Sequence, residues 1–167
     1  MSDRPAWLPE ELHFKDYNGD WDRFLSDTYA VFERDFKQSK LSYESYPITF
    51  DANMEDGKEA VFWHIIQRED SQAGIRVPDF RRCERIPWPR PMIEHPTDAA
   101  ISIWENNRTR QTRVLIWLER LDYLIVLARR PKVVVLVTAY CTDIDHTRQK
   151  LIKERDEYRQ KMQKPPF

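Results

Sequence analysis

The chain has little glycine, little cysteine and no long apolar run, and each shortage removes a class of protein. Three glycines among 167 residues leave no glycine-rich loop of the kind that cradles phosphate at a helix N-terminus. Cys83 and Cys141 are the only cysteines, too few for a zinc framework or a secreted disulfide scaffold. They read as free small core residues, with a single bridge between them as the alternative. No run reaches the ~20 apolar residues of a membrane span, and the N-terminus has no apolar segment of signal-peptide length. The expectation is a soluble protein of the cytoplasm with no membrane partner. An excess of one charge is also missing, since 27 Lys and Arg stand against 28 Asp and Glu. The whole molecule therefore lacks the positive field of a general nucleic-acid binder, and any basic site must be local.

What is present points to one α+β domain. The length suits a single core, and the sequence divides into an irregular N-terminal arm over 1–17 and one domain over 18–167. Arginines cluster at Arg76, Arg81, Arg82, Arg85 and Arg90 and again at Arg108, Arg110 and Arg113, while acids gather in the first seventy residues. Six Trp, seven Tyr and eight Phe suit a filled aromatic core, although aromatic rings also stack on bases.

The clearest local signal lies between Arg110 and Cys141, where three apolar runs, 113–118, 123–128 and 132–140, are separated by two tight polar breaks. Connectors that short allow only antiparallel neighbours, so the segment predicts a meander. Strict alternation in the third run puts Val134, Leu136, Thr138 and Tyr140 on one face. Trp21, Phe24, Leu25, Thr28, Val31, Phe32 and Phe36 have helical spacing behind a helix start at Asn18-Gly-Asp20. Tyr46–Phe50 reads as a short strand, 51–58 as a turn, and 59–69 as a buried helix. The polar stretch 70–78 reads as a mobile loop. Asp79 can cap a helix over 80–86, and Pro87, Pro89 and Pro91 prevent regular helix through Trp88. A strand over 99–104, a polar turn over 105–111, and a charged helix from Asp143 or Asp145 to about Met162 complete the reading. That last helix has an inner stripe of Leu151, Ile152, Arg155, Tyr158 and Met162.

Several segments together resemble a known group: Phe62-Trp-His-Ile-Ile66, Arg82-Cys-Glu-Arg-Ile-Pro-Trp88 with Ile93-Glu94, Trp104-Glu105 with Arg108, the Val114–Leu127 hairpin, and Val137-Thr-Ala-Tyr140. Their order over residues 60–160 is similar to that of the bacterial and phage nuclease-like proteins of the barnase–EndoU–colicin–RelE superfamily. The resemblance implies helices packed on an antiparallel sheet, a C-terminal helix, and metal-independent endoribonuclease activity without a cofactor. It also implies a toxin or phage-defence role, with RNA (tRNA, mRNA or rRNA) as substrate and an antitoxin or other protein as partner.

Metal-free RNA cleavage needs a base for the ribose 2′-OH, a cation beside the phosphorane, and an acid for the leaving 5′-oxygen. Histidine titrates near neutral pH, which makes His64 the candidate base. Arginine grips two phosphate oxygens with a planar fork, so Arg82 and Arg85 are candidate catalytic cations and Arg108 a candidate substrate contact. Thr138 and Tyr140 offer hydroxyls to phosphate or 2′-OH, and Trp88 offers a stacking face. Each has a plainer alternative: a core histidine, surface ion pairs, a solvated turn arginine, sheet completion, and a core tryptophan. The paired acids Asp20/Asp22 and Asp143/Asp145 sit where helices begin, and His13, His95 and His146 lack mutual ligand spacing, so no metal site is expected. Two other classes stay open: a non-catalytic RNA- or protein-binding module of the same fold, and a toxin–antitoxin component that recognises protein through its last helix.

Overall fold

The computed structural model describes residues 4–163. The arm is held down by two of its residues: Leu8 is buried, and Trp7 stacks on His95 at 4.5 Å and donates to Asp98 at 2.9 Å. A short 3-10 turn, Phe14–Tyr17, leads to α1 (Trp21–Phe36), where the Asp20 carboxylate accepts from the Arg23 backbone N–H at 3.1 Å. Phe24, Thr28, Phe32 and Phe36 form its buried stripe.

Next come β1 (Ser42–Tyr43) and β2 (Tyr46–Phe50), then a small hairpin of β3 (Met54–Glu55) and β4 (Lys58–Glu59) inside the segment expected as turn. Helix α2 (Ala60–Ile66) buries Val61, Phe62, Ile65 and Ile66, which leaves His64 on its exposed side. The helix expected to reach Glu69 ends at Ile66, and in place of the mobile loop expected over 70–78, residues 67–69 join a hairpin, β5 (Gln67–Asp70) with β6 (Ile75–Pro78). Its apolar alternation is poor, but the turn is closed locally. The Asp70 carboxylate accepts from Gln72 N–H at 3.0 Å and Ala73 N–H at 3.2 Å, and Gly74 supplies a φ of 67°.

Helix α3 (Phe80–Glu84) is capped by Asp79 as expected but stops two residues before Ile86. The chain is non-helical through Trp88, as the prolines require. Pro89 then opens α4 (Pro89–Glu94), because a first helical position needs no N–H donor.

The remaining elements are β7 (Ile101–Arg108), β8 (Gln111–Leu118), β9 (Tyr123–Arg129), β10 (Val134–Cys141) and α5 (Asp145–Gln163). The polar segment 105–111 is therefore strand as far as Arg108, and the turn is only Thr109-Arg110, with φ of 52° and 62°. Two positive φ values give the turn a twist that matches paired strands, so polarity there marks a sheet edge rather than a loop.

The strand order is β1-β2-β10-β9-β8-β7. All pairs are antiparallel except β2 with β10, which run parallel over Val134–Leu136 only. Helices cover both faces. Val114, Ile116, Ile125, Leu127, Val134 and Leu136 pack toward the core shared with Phe24, Phe32, Phe62 and Met92. Leu115, Trp117, Leu124 and Val126 face the other way and pack with Leu151 of α5. Arg148 and Arg155 lie over the Trp117 ring, each at 5.5 Å. The α5 stripe follows the sequence reading except at Met162, which is 66% exposed.

Strict alternation fails in β10. Leu136 pairs with Leu127 and Thr138 pairs with Val126, so Val137 is an extra residue in a β-bulge. Val134 and Leu136 stay on the core face with α1 and α2, whereas Thr138 and Tyr140 move to the face of Val126 and Leu124, the α5 side. The bulge begins where β2 stops pairing, leaving the outer edge of β10 open to α2.

Candidate active site

At that open edge, α2, the β5–β6 hairpin, α3 and the bulge enclose a cleft of about 320 Å3. His64, Arg82, Thr138 and Tyr140 line it together with Arg68, Glu69, Arg76 and Val137. Four residues drawn from distant parts of the sequence thus share one site. His64 is exposed, so the core-histidine alternative does not apply.

The backbone at His64 is held from two sides. The Thr138 hydroxyl donates to the His64 carbonyl at 3.1 Å, and Arg82 Nη1 donates to the same carbonyl at 3.5 Å. Arg82 Nη1 also donates to the Gln67 carbonyl, and its Nε lies 3.7 Å from the Asp79 carboxylate. Arg82 therefore closes the C-terminal end of α2. Its guanidinium also lies 5.7 Å from the centre of the Tyr140 ring. Burial lowers the Arg82 pKa despite the nearby Asp79 carboxylate. Burial raises the Tyr140 phenol above its ordinary value, against the opposing pull of Arg108, Arg82 and Arg113. At neutral pH that hydroxyl keeps its proton and acts as a hydrogen-bond donor.

Three candidates lie elsewhere. Arg85 donates to the Arg81 carbonyl at 3.1 Å and lies 5.2 Å over the Trp88 ring, outside the cleft. Its position at the end of α3 turns it toward the core tryptophan. Trp88 is 1% exposed, donates to the Pro9 carbonyl at 3.1 Å and meets Tyr123 edge-on, so it offers no face to a base. Arg108 lines a second pocket, under α5, and the two pockets share Tyr140 as a wall.

Sequence reading missed Arg68, Glu69 and, as a cleft residue, Arg76. All three sit on the β5–β6 hairpin, where the sequence reads Arg68 and Glu69 as the end of a buried helix and Arg76 as part of a loop. Among the described residues, neither Arg68 nor Arg76 forms an ion pair, whereas Arg34, Arg81, Arg90, Arg129, Arg148 and Arg155, outside the cleft, do. Among the described residues, Glu10, Glu11 and His13 form the one group with ligand spacing for a metal ion. None of them lines the cleft, and Glu11 is paired with Arg4 at 3.4 Å. Both cysteines are free. No helix among the described residues is long and apolar enough to cross a membrane.

A comparison of the chain with protein-family models, curated proteins and solved structures found no match.

Proposed function

We propose that the protein is a metal-independent endoribonuclease that cleaves RNA by attack of the ribose 2′-OH on the adjacent phosphate. The observation that carries this reading is the convergence of His64, Arg82, Thr138 and Tyr140 on one cleft, walled by two further arginines without ion pairs. In this mechanism the His64 imidazole takes the 2′-OH proton. Arg68 and Arg76 hold the non-bridging oxygens as charge builds on the phosphorane, where fixed cations are worth most. The protonated Tyr140 hydroxyl donates toward the leaving 5′-oxygen. Arg82 and Thr138 are positioning residues, because their donors grip the His64 carbonyl and fix where the imidazole stands.

Glu69 is the one carboxylate of the cleft and the other group able to accept a proton. Assigning the base to His64 makes the distinction testable. His64→Ala is expected to slow RNA cleavage at least about 100-fold, within the range for a positioned acid or base, while Glu69→Gln retains most of the activity. Steady-state cleavage rates, with circular dichroism to verify folding, check both. Wild-type-like activity in His64→Ala would remove the base, and a collapse in Glu69→Gln would transfer its role.

A non-catalytic RNA-binding module is the second reading. It is favoured by the use of Arg82 donors on protein carbonyls rather than toward solvent. Binding of RNA with no product from the wild type would select it.

A further inference from the structure

The pocket under α5 has a feature that the cleft does not: polar atoms that are buried and unmatched. Asn106 and Arg113 face each other across β7 and β8. The Asn106 Oδ1 and the Arg113 Nε are both buried without a hydrogen-bond partner among the described residues. The amide is locked in this orientation, because its Nδ2 donates to Glu154 at 2.7 Å while the other Glu154 oxygen accepts from Trp104 Nε1 at 3.1 Å. Leaving such a donor and acceptor buried and unpaired is unfavourable, which a ligand carrying both complements would relieve.

The charge around these atoms is one-sided. Arg108, Arg113 and Lys150 stand against Glu154 alone, and among the described residues none of the three forms an ion pair. His146 and Thr147, in the first turn of the 19-residue α5, bring the positive end of that helix to the same rim. The volume is about 250 Å3, room for a phosphate with its sugar. Beyond Asn106 the sign reverses, since the next pocket is lined by Glu105, Glu154 and Glu157 with Lys161. The positive path thus runs from Arg76 and Arg68, over Tyr140, to Lys150, and ends there.

We infer that the pocket under α5 is a second phosphate subsite for the same RNA strand, with the strand bent over Tyr140 between the two pockets. Arg113 and Lys150 hold the phosphate, and Asn106 Oδ1 accepts from an N–H or O–H of the attached nucleoside, which gives the site a base or sugar preference. This inference rests on the proposed RNA substrate and specifies its form: a single strand engaged at two or more phosphates, not an isolated phosphodiester.

The test is binding of a 2′-O-methyl RNA oligonucleotide, which cannot be cleaved, followed by fluorescence anisotropy across a salt series. Arg113→Gln is expected to weaken binding at least about tenfold and to reduce the salt slope by about 0.7, the value for one phosphate contact on a single strand. Lys150→Gln, an exposed substitution that leaves packing intact, shifts both in the same direction. If wild type cleaves RNA but Arg113→Gln and Lys150→Gln bind like wild type, the subsite is overturned while the cleft reading stands. A 5′-mononucleotide that binds as tightly as the oligonucleotide would make the occupant a free nucleotide and also overturn it. Absence of both binding and cleavage in the wild type would remove the proposed function together with the subsite.

Discussion

At the scale of single residues, the site depends on how α2 is anchored as much as on the groups that face the cleft. Glu59, 4% exposed, precedes α2 and receives a 2.5 Å ion pair from Lys37 and a 2.7 Å hydrogen bond from Tyr29, tying the helix that carries His64 to α1. Burial pushes the Glu59 carboxyl up, but the Lys37 and Tyr29 bonds outweigh it and hold the pKa below the ordinary 4.5. The unfolded chain therefore takes up this proton first as pH falls. The stabilisation is fully present above about 4.5 and is lost as pH drops through the folded value. Lys37 shifts upward through the same contact, so its contribution persists below its ordinary 10.5 and disappears only as pH rises beyond that. Glu59→Gln is expected to lose roughly 1–2 kcal/mol at pH 7 and to show a flatter acid limb in urea melts carried below the ordinary 4.5. An unchanged acid limb would show that the pair is not responsible. His64, Arg82, Thr138 and Tyr140 were legible as residues because few side-chain types can move protons or grip phosphate. The partners of Glu59 were not, since nothing in the spacing of Tyr29, Lys37 and Glu59 announces a contact between two helices.

At the scale of elements, α1, α2, α3, α5, the meander and the cap at Asp79 followed from periodicity and turn chemistry, whereas α4 was hidden behind prolines that read as helix breakers. Much of the rest that was hidden shares one physical cause, polar strand. The β5–β6 hairpin and the outer end of β7 bury few apolar groups, so they lack the alternation by which strands are read. The bulge at Val137 is a second hidden feature, because an added residue leaves the apolar pattern of β10 intact while reversing the faces that follow. The alternation that predicted a shared row for Leu136 and Tyr140 would have sent Tyr140 into the core. The bulge turns it instead toward Arg108 and Arg113. Backbone strain next to this region yields a prediction. Arg110 holds a φ of 62° in the turn after Arg108, a conformation unfavourable by roughly 1 kcal/mol or more without glycine. Arg110→Gly is expected to raise Tm by about 2–4 °C in a domain of this size, measured by calorimetry. A lower Tm would mean that the Arg110 side chain contributes more than the strain it imposes.

At the scale of the whole molecule, a chain with nearly equal numbers of acids and bases builds a positive path by placing its acids elsewhere. Ion pairs consume many arginines outside the path, while Arg68, Arg76, Arg108 and Arg113 along it form none among the described residues, so the overall charge is uninformative about the site. The α+β class and the two-sided packing follow from the number of apolar faces the sequence must bury; the parallel β2–β10 pair does not, since it joins strands more than eighty residues apart. This pairing stops at Leu136 and thereby opens the edge where the cleft forms. The central claim is that this cleft cuts RNA by internal attack without a metal ion. Its most direct test is incubation of purified protein with a defined RNA in excess EDTA, with mass spectrometry of the product ends. The account predicts 5′-hydroxyl and 2′,3′-cyclic phosphate termini at an undiminished rate. Products bearing 5′-phosphate, or cleavage that stops with EDTA and returns with a divalent ion, would contradict it.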